Sequence, residues 1–173
     1  MIREADMDDA PAIAEIYNGY VLGSTATFDT EPVSVDHMRK RMREILEEFP
    51  YFVYVLNGEV AGYCYAHRWK EKEAYRQTLE TTVYVAQGHC GRGVGHELME
   101  KLIAECRSRG FWALIACITA GNEASVALHE RLGFVRVSMF KNVGMKFGCL
   151  LDVNDYELLL DQGEAFSCTS SSE

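Results

Sequence analysis

A single α/β domain of the α+β kind, with a mixed, mostly antiparallel central sheet and helices on both faces, is predicted by three features of the sequence. Two amphipathic helical stretches come before most of the strands. Three β-rich runs then follow one another in order. A helix, an unbroken apolar strand, a second helix and two last strands complete the chain. Residues 1–162 are expected to form the domain, and 163–173, ending in "SCTSSSE", a flexible tail.

Each element has a local cause. Residues 2–4 open as a short strand. Asp6 is placed to cap a helix that has Pro11 early and Ile13, Ile16, Tyr17 and Tyr20 at helical spacing. "STATFDTEP" is loop-like, and Ser34 then caps "VDHMRKRMREILEEF", where Met38, Met42, Ile45 and Leu46 share one face. Asn57-Gly58, between two β-rich runs, is the strongest short hairpin signal. In "LETTVYV", Leu79, Thr81, Val83 and Val85 point one way and Glu80, Thr82 and Tyr84 the other. A helix over about 93–109 spaces Val94, Leu98, Leu102 and Cys106 four apart, has Arg107 and Arg109 in its last turn and stops at Gly110. "FWALIACIT" reads as a strand covered on both faces. "NEASVALHERLG" reads as a short helix starting at Asn122 and stopping at Gly133, with last strands near 134–140 and 151–160.

Composition narrows the function. The 173 residues leave no room for a second domain, and 48% hydrophobic content suffices for a sizeable core. Seventeen basic against 26 acidic side chains give a charge of −9, which repels phosphate backbones and anionic lipid. Nucleic acid and membranes are therefore set aside as partners. No apolar run approaches the roughly 20 residues that cross a bilayer, and the polar start "MIREADMDD" is unlike a signal peptide. The six cysteines form no CxxC pair, and the histidines show no HxxxH spacing. A reduced, cytoplasmic chain without a metal site is expected.

The richest motif is "HCGRGVGHELMEKL". A strand that ends in a glycine-rich turn and opens a helix offers unpaired N–H groups and the positive end of the helix dipole, a place for phosphate oxygens. Gly91, Gly93 and Gly95 let the backbone approach a ligand; a tight strand-to-helix turn would explain them equally well. No Lys-Ser or Lys-Thr follows, so the P-loop pattern is not met, and the spacing also misses the GxGxxG dinucleotide fingerprint.

Cys90-Gly91-Arg92-Gly93-Val94-Gly95, followed by His96, resembles the [Q/R]xxGxG/A signature of the GNAT superfamily of N-acetyltransferases. That resemblance implies acetyl-coenzyme A as co-substrate, its pyrophosphate held at this turn. Cys90 stands where the family has Arg or Gln; one side-chain donor is lost, the amides remain, and weaker cofactor binding is expected. Four further blocks, "IAEIYNGYVLGSTATFDTEP", "VAGYCYAHRWKEKEAYRQTLETTVYV", "NEASVALHERLGF" and "KFGCLLDV", resemble the phosphinothricin acetyltransferase branch. Leu150 and Leu151 precede Asp152 where that branch has an aromatic. The branch implies a homodimer and a small amino-acid-like amine as acceptor, with a protein N-terminus or lysine, or an acetyl-CoA sensor without turnover, as alternatives.

Acetyl transfer to an amine needs the amine neutral. An α-amino group has a pKa of about 8 and lysine about 10.4, so a base must take a proton. Glu80 is the candidate: it shares a face with Tyr84 and is expected among Leu79, Tyr63 and Tyr65, apolar neighbours that would raise its pKa. A solvent-facing strand glutamate is the plain alternative, and the resemblance favours the base. His129 lies where many members have a tyrosine that protonates the departing thiolate and the branch has histidine; as acid, second base or mere helix packing it stays open. Asn122 is a helix cap by position, and the resemblance adds a bond to the pantetheine arm. Val83, Tyr84 and Val85 would hold that arm through their backbone, which requires the sheet to splay there. Phe28, Trp69, Lys70, Tyr75 and Arg76 lie in stretches resembling acceptor-side loops, and Arg76 or Lys146 is the cation for an acceptor carboxylate. The other histidines, His37, His67, His89 and His96, show no partner pattern and are assigned to solvent by default, while the resemblance places His96 in the cofactor turn.

Overall fold

The computed structural model describes residues 1–160, so the tail expected at 163–173 lies outside the described residues. The elements run β1 (Ile2–Glu4), α1 (Ala10–Gly23), α2 (Val35–Leu46), β2 (Tyr51–Leu56), β3 (Glu59–Arg68), β4 (Thr78–Val85), α3 (Val94–Ser108), β5 (Ala113–Thr119), α4 (Glu123–Arg131), β6 (Val135–Lys146) and β7 (Cys149–Leu159). The seven strands form one sheet in the order β1-β2-β3-β4-β5-β7-β6. All neighbours are antiparallel except β4 and β5, which are parallel.

Local chemistry starts and stops the helices as expected. Asp6 caps a single 3-10 turn that leads into α1: its carboxylate accepts from Asp8 N (2.8 Å), while Asp9 Oδ2 accepts from Asp6 N (2.9 Å). Arg3 clamps the same Asp9 with two 2.7 Å bonds and ties β1 to α1. Ser34 Oγ accepts from His37 N at the head of α2, and Asn122 Oδ1 from Ser125 N at the head of α4. The Asn57-Gly58 turn joins β2 to β3 with positive φ at both residues.

The alternation of β4 separates two cores. Leu79 faces α3 and packs with Leu98, Leu102 and Leu114, all fully buried; each such leucine contributes about 1.5–3 kcal/mol. On the opposite face α1 and α2 cover Tyr51, Tyr63 and Val53 through Ile13, Val21, Met38 and Met42. Glu80 belongs to this second side, so Leu79 is not its neighbour as expected: the strand's period of two sends the pair to opposite faces. No helix among the described residues is long and apolar enough to cross a membrane.

The last two strands exceed the expectation. Together they form a long hairpin through a two-residue turn at Phe147-Gly148, both with positive φ. Two irregularities, between Arg136 and Ser138 and between Phe140 and Gly144, break the alternation of β6. That break hid the strand's second half from a period-two reading.

Candidate active site

Parallel pairing of β4 with β5 stops at Glu80 opposite Ile115, although both strands run on. Beyond that point 81–85 and 116–119 part, and the gap is the floor of a cavity of ≈ 770 Å³. The splay expected at this place is present. Thr78 O accepts from Trp69 N and Ala86 N donates to Ala61 O, so even-numbered peptides of β4 face β3. Alternation therefore turns the peptides of Val83 and Val85 toward the gap and that of Tyr84 away from it, leaving Tyr84 to line the cavity with its ring.

One end of the cavity is the turn into α3. Gly91 and Gly93 have φ of 73° and 86°, the left-handed region, and Gly93 is the residue from which α3 departs. Cys90, Gly91, Gly93, Gly95 and His96 line the cavity; Val94 is buried and packs into the core beneath it. Cys90 Sγ lies 3.8 Å from Val85 O and 3.9 Å from Tyr20 Oη, and the Tyr20 hydroxyl donates to Val85 O at 2.7 Å. Burial and the Cys90 thiol push the Tyr20 pKa up to about 12, so it stays a donor. His89 also lines the cavity, and its Nδ1 is buried without a hydrogen-bond partner.

On the α4 side stand Asn122, Ser125, Leu128 and His129. His129 is 3% exposed, and burial holds its pKa below the usual range. Its Nδ1 is 2.8 Å from the Ser125 carbonyl, which can only accept, so Nδ1 carries the hydrogen and Nε2 is left with a lone pair. The rings of His129 and Phe134 meet edge to face.

Glu80 sits where the strands part. Burial raises its pKa; His67 draws it back, Asp155 raises it further, and Cys117 draws it back by hydrogen bonding. His67 Nε2 is 3.8 Å from Glu80 Oε1, and Cys117 Sγ donates to Asp155 Oδ1 at 3.1 Å. Ser138 donates to the other oxygen of Asp155. Sheet register assembles this cluster: His67 opposes Glu80 across β3–β4, and Asp155 opposes Cys117 across β5–β7.

Over this end lies the loop 24–34, pinned from several elements. Tyr17 Oη donates to Asp29 and is 2.8 Å from Thr27 Oγ1; Arg41 bonds Asp29; Thr119 Oγ1 donates to Thr25 O; Lys146 Nζ donates to Thr27 O. The loop carries Phe28 into the cavity, its ring packed against Gly144, where a Cβ would overlap it. Phe28 is the one expected acceptor-side residue among the cavity's lining. Trp69, Lys70 and Tyr75 cluster outside it, the two rings meeting edge to face and Lys70 Nζ lying 3.9 Å from the centre of the indole. Arg76 pairs with Glu73 at the surface, and the buried Lys146 spends its ammonium on Thr27.

The acetyltransferase (GNAT) family model matches residues 13–134. The chain belongs to the GNAT acetyltransferase family. Phosphinothricin N-acetyltransferase of Alcaligenes faecalis is 39% identical over 165 residues, 94% of this chain and 84% of that one. The L-methionine sulfoximine/L-methionine sulfone acetyltransferase of Salmonella typhimurium is 38% identical over 166 residues, 95% of this chain and 96% of the relative. A crystal structure of a GNAT superfamily phosphinothricin acetyltransferase from Sinorhizobium meliloti in complex with AcCoA superimposes with a TM-score of 0.92 at 34% identity. It covers 99% of this chain and 94% of its own. Within this GNAT enzyme the places of Tyr20, His89 and Cys117 in the cavity lining, and of His67 beside Glu80, were not read from the sequence: Tyr20 was read only as part of a helical spacing, His67 and His89 as solvated, and sheet register brings His67 and Cys117 to Glu80.

Proposed function

We propose that this acetyltransferase moves the acetyl group of acetyl-CoA directly to the amino group of a small amino-acid-like acceptor, of the phosphinothricin or methionine sulfoximine class, with Glu80 as general base. The observation that carries the reading is the position of Glu80: a half-buried carboxylate at the vertex where β4 and β5 separate, its pKa raised by burial. The names of the relatives support the acceptor class.

The residues present fit acetyl-CoA. Glycines in the left-handed region and the free amides opening α3 suit a pyrophosphate, with His89 and Cys90 beside them. The outward peptides of Val83 and Val85 suit the amide-bearing arm, and Asn122 keeps its side-chain NH2 for it because only its carbonyl oxygen is used in capping. Bound there, acetyl-CoA supplies the thioester. Glu80 takes a proton from the ammonium, and the neutral amine then attacks. His129, with Nδ1 held by Ser125, offers an acceptor and so serves as a second base better than as an acid.

We also propose a homodimer built on β6, whose outer residues Val135, Val137 and Met139 are 66%, 53% and 51% exposed. The function is tested by release of the CoA thiol with a panel of amines. Release with phosphinothricin, methionine sulfoximine or plain amino acids is expected. Release with peptides alone would make this a protein acetyltransferase, and cofactor binding without release a sensor.

A further inference from the structure

We propose that His67 is the outlet for the proton that Glu80 takes from the amine, a relay from the buried carboxylate to solvent. The inference rests on the reading of Glu80 as base. Two observations carry it, one of hydrogen bonding and one of exposure.

His67 Nδ1 lies 3.0 Å from the carbonyl oxygen of Arg68. A carbonyl only accepts, so Nδ1 holds the ring's hydrogen and Nε2 of the neutral ring has a lone pair. That lone pair is on the nitrogen 3.8 Å from Glu80 Oε1, a separation closed by a small side-chain shift or one water. Exposure sets the direction: the Glu80 side chain is 27% and that of His67 35% exposed, and His67 stands outside the residues lining the cavity. Tyr65 packs on the inner side of the ring at 5.8 Å. On its other flank Glu80 meets Cys117 from β5 and, beyond it, Asp155 from β7; Cys117 donates to Asp155, and burial with the two carboxylates holds its thiol protonated. The carboxyl proton therefore leaves toward β3.

The proton count closes. An ammonium acceptor loses two protons when it becomes an amide. One goes to Glu80 before attack, then to His67 Nε2, then to water, which regenerates both groups. The other leaves the nitrogen as the C–S bond breaks and ends on the CoA thiolate. The net reaction releases one proton, and that is the proton His67 carries.

His67→Asn keeps an N–H for the Arg68 carbonyl and has no atom that can take up a proton. With the full-length enzyme and its best amine, turnover is expected to fall about tenfold or more. Acetyl-CoA affinity and melting temperature should stay at wild-type values, and added imidazole should restore turnover in proportion to its free-base concentration. Turnover equal to wild type, or a loss that no imidazole restores, overturns the relay. Should the asparagine variant melt early, His67→Gln is read by the same criteria. A dead Glu80→Gln beside a fully active His67→Asn rejects the relay alone. A wild-type enzyme from which no small amine draws release of thiol rejects the function on which it rests.

Discussion

Glu80 holds two properties in tension. Its pKa is raised in the folded chain, chiefly by burial, so its proton stabilises the fold. That contribution is present below the ordinary carboxyl value of 4.5 and is lost as pH rises through the higher folded value. At neutral pH the ionised carboxylate therefore costs stability while supplying the base. Glu80→Gln should lower turnover about 100-fold and raise the melting temperature at pH 7, the difference fading as pH falls below 4.5. Wild-type turnover should rise with pH along a limb displaced above that of an exposed carboxylate. Undiminished turnover in the glutamine variant removes Glu80 from the role. The face on which this residue stands was legible from strand alternation, as was the capping role of Asn122 from its position, whereas the reading of Glu80 as base came from the resemblance. The surroundings of Glu80 were not legible: Leu79 was expected beside it and points away, whereas His67, Cys117 and Asp155 arrive from three other strands. Nothing local in the sequence states the register that sets His67 opposite Glu80, Glu80 opposite Ile115 and Cys117 opposite Asp155.

Among the elements, the turn into α3 carries the clearest consequence. Gly93 combines a φ of 86° with the position from which the helix departs. Gly93→Ala should cost roughly 1–2 kcal/mol, the left-handed penalty for a side chain, and should weaken acetyl-CoA binding as the amides tilt. Gly88 is the control: no atom lies within 4 Å of an added Cβ and its φ is not in the left-handed region, so Gly88→Ala should leave both melting temperature and cofactor affinity in place. Calorimetry and thermal melts on the two variants decide it, and equal behaviour would show that the turn needs no glycine. The bounds of α3 and α4 were legible to within two residues because caps and stops are local chemistry, whereas α1 starts at Ala10 after the 3-10 turn that Asp6 caps and α2 ends at Leu46, short of the expected Phe49. The β6–β7 hairpin was half-read because Phe147-Gly148 lacks the Asn-Gly signal and the irregularities in β6 scramble its alternation.

The whole molecule ends in an edge strand that is unusually apolar for one left to water. Among the described residues β6 pairs only with β7, and its exposed side chains include Val135, Val137 and Met139, with Phe140, Val143, Met145 and Phe147 further along. Edge strands that stay single are defended by lysine, proline or inward charge; this one has Arg136 and Lys141 among a run of exposed apolar side chains. Exposed apolar side chains along a sheet edge fit a second copy of the same strand about a two-fold axis, since the edge then covers its own equivalent. Gly144 lies in this strand against Phe28, so the strand that would meet the partner also supports the acceptor end of the cavity. Replacing Val137 and Met139 together by glutamate places like charges across the axis, and sedimentation should then show a monomer where wild type shows a dimer. The monomer should keep its acetyl-CoA affinity, because the turn into α3 is remote from β6 in the sheet order, and should show a raised KM for the amine as Phe28 loses its support. A wild-type monomer at micromolar concentration, or a glutamate variant that remains dimeric, places the two-fold elsewhere or nowhere.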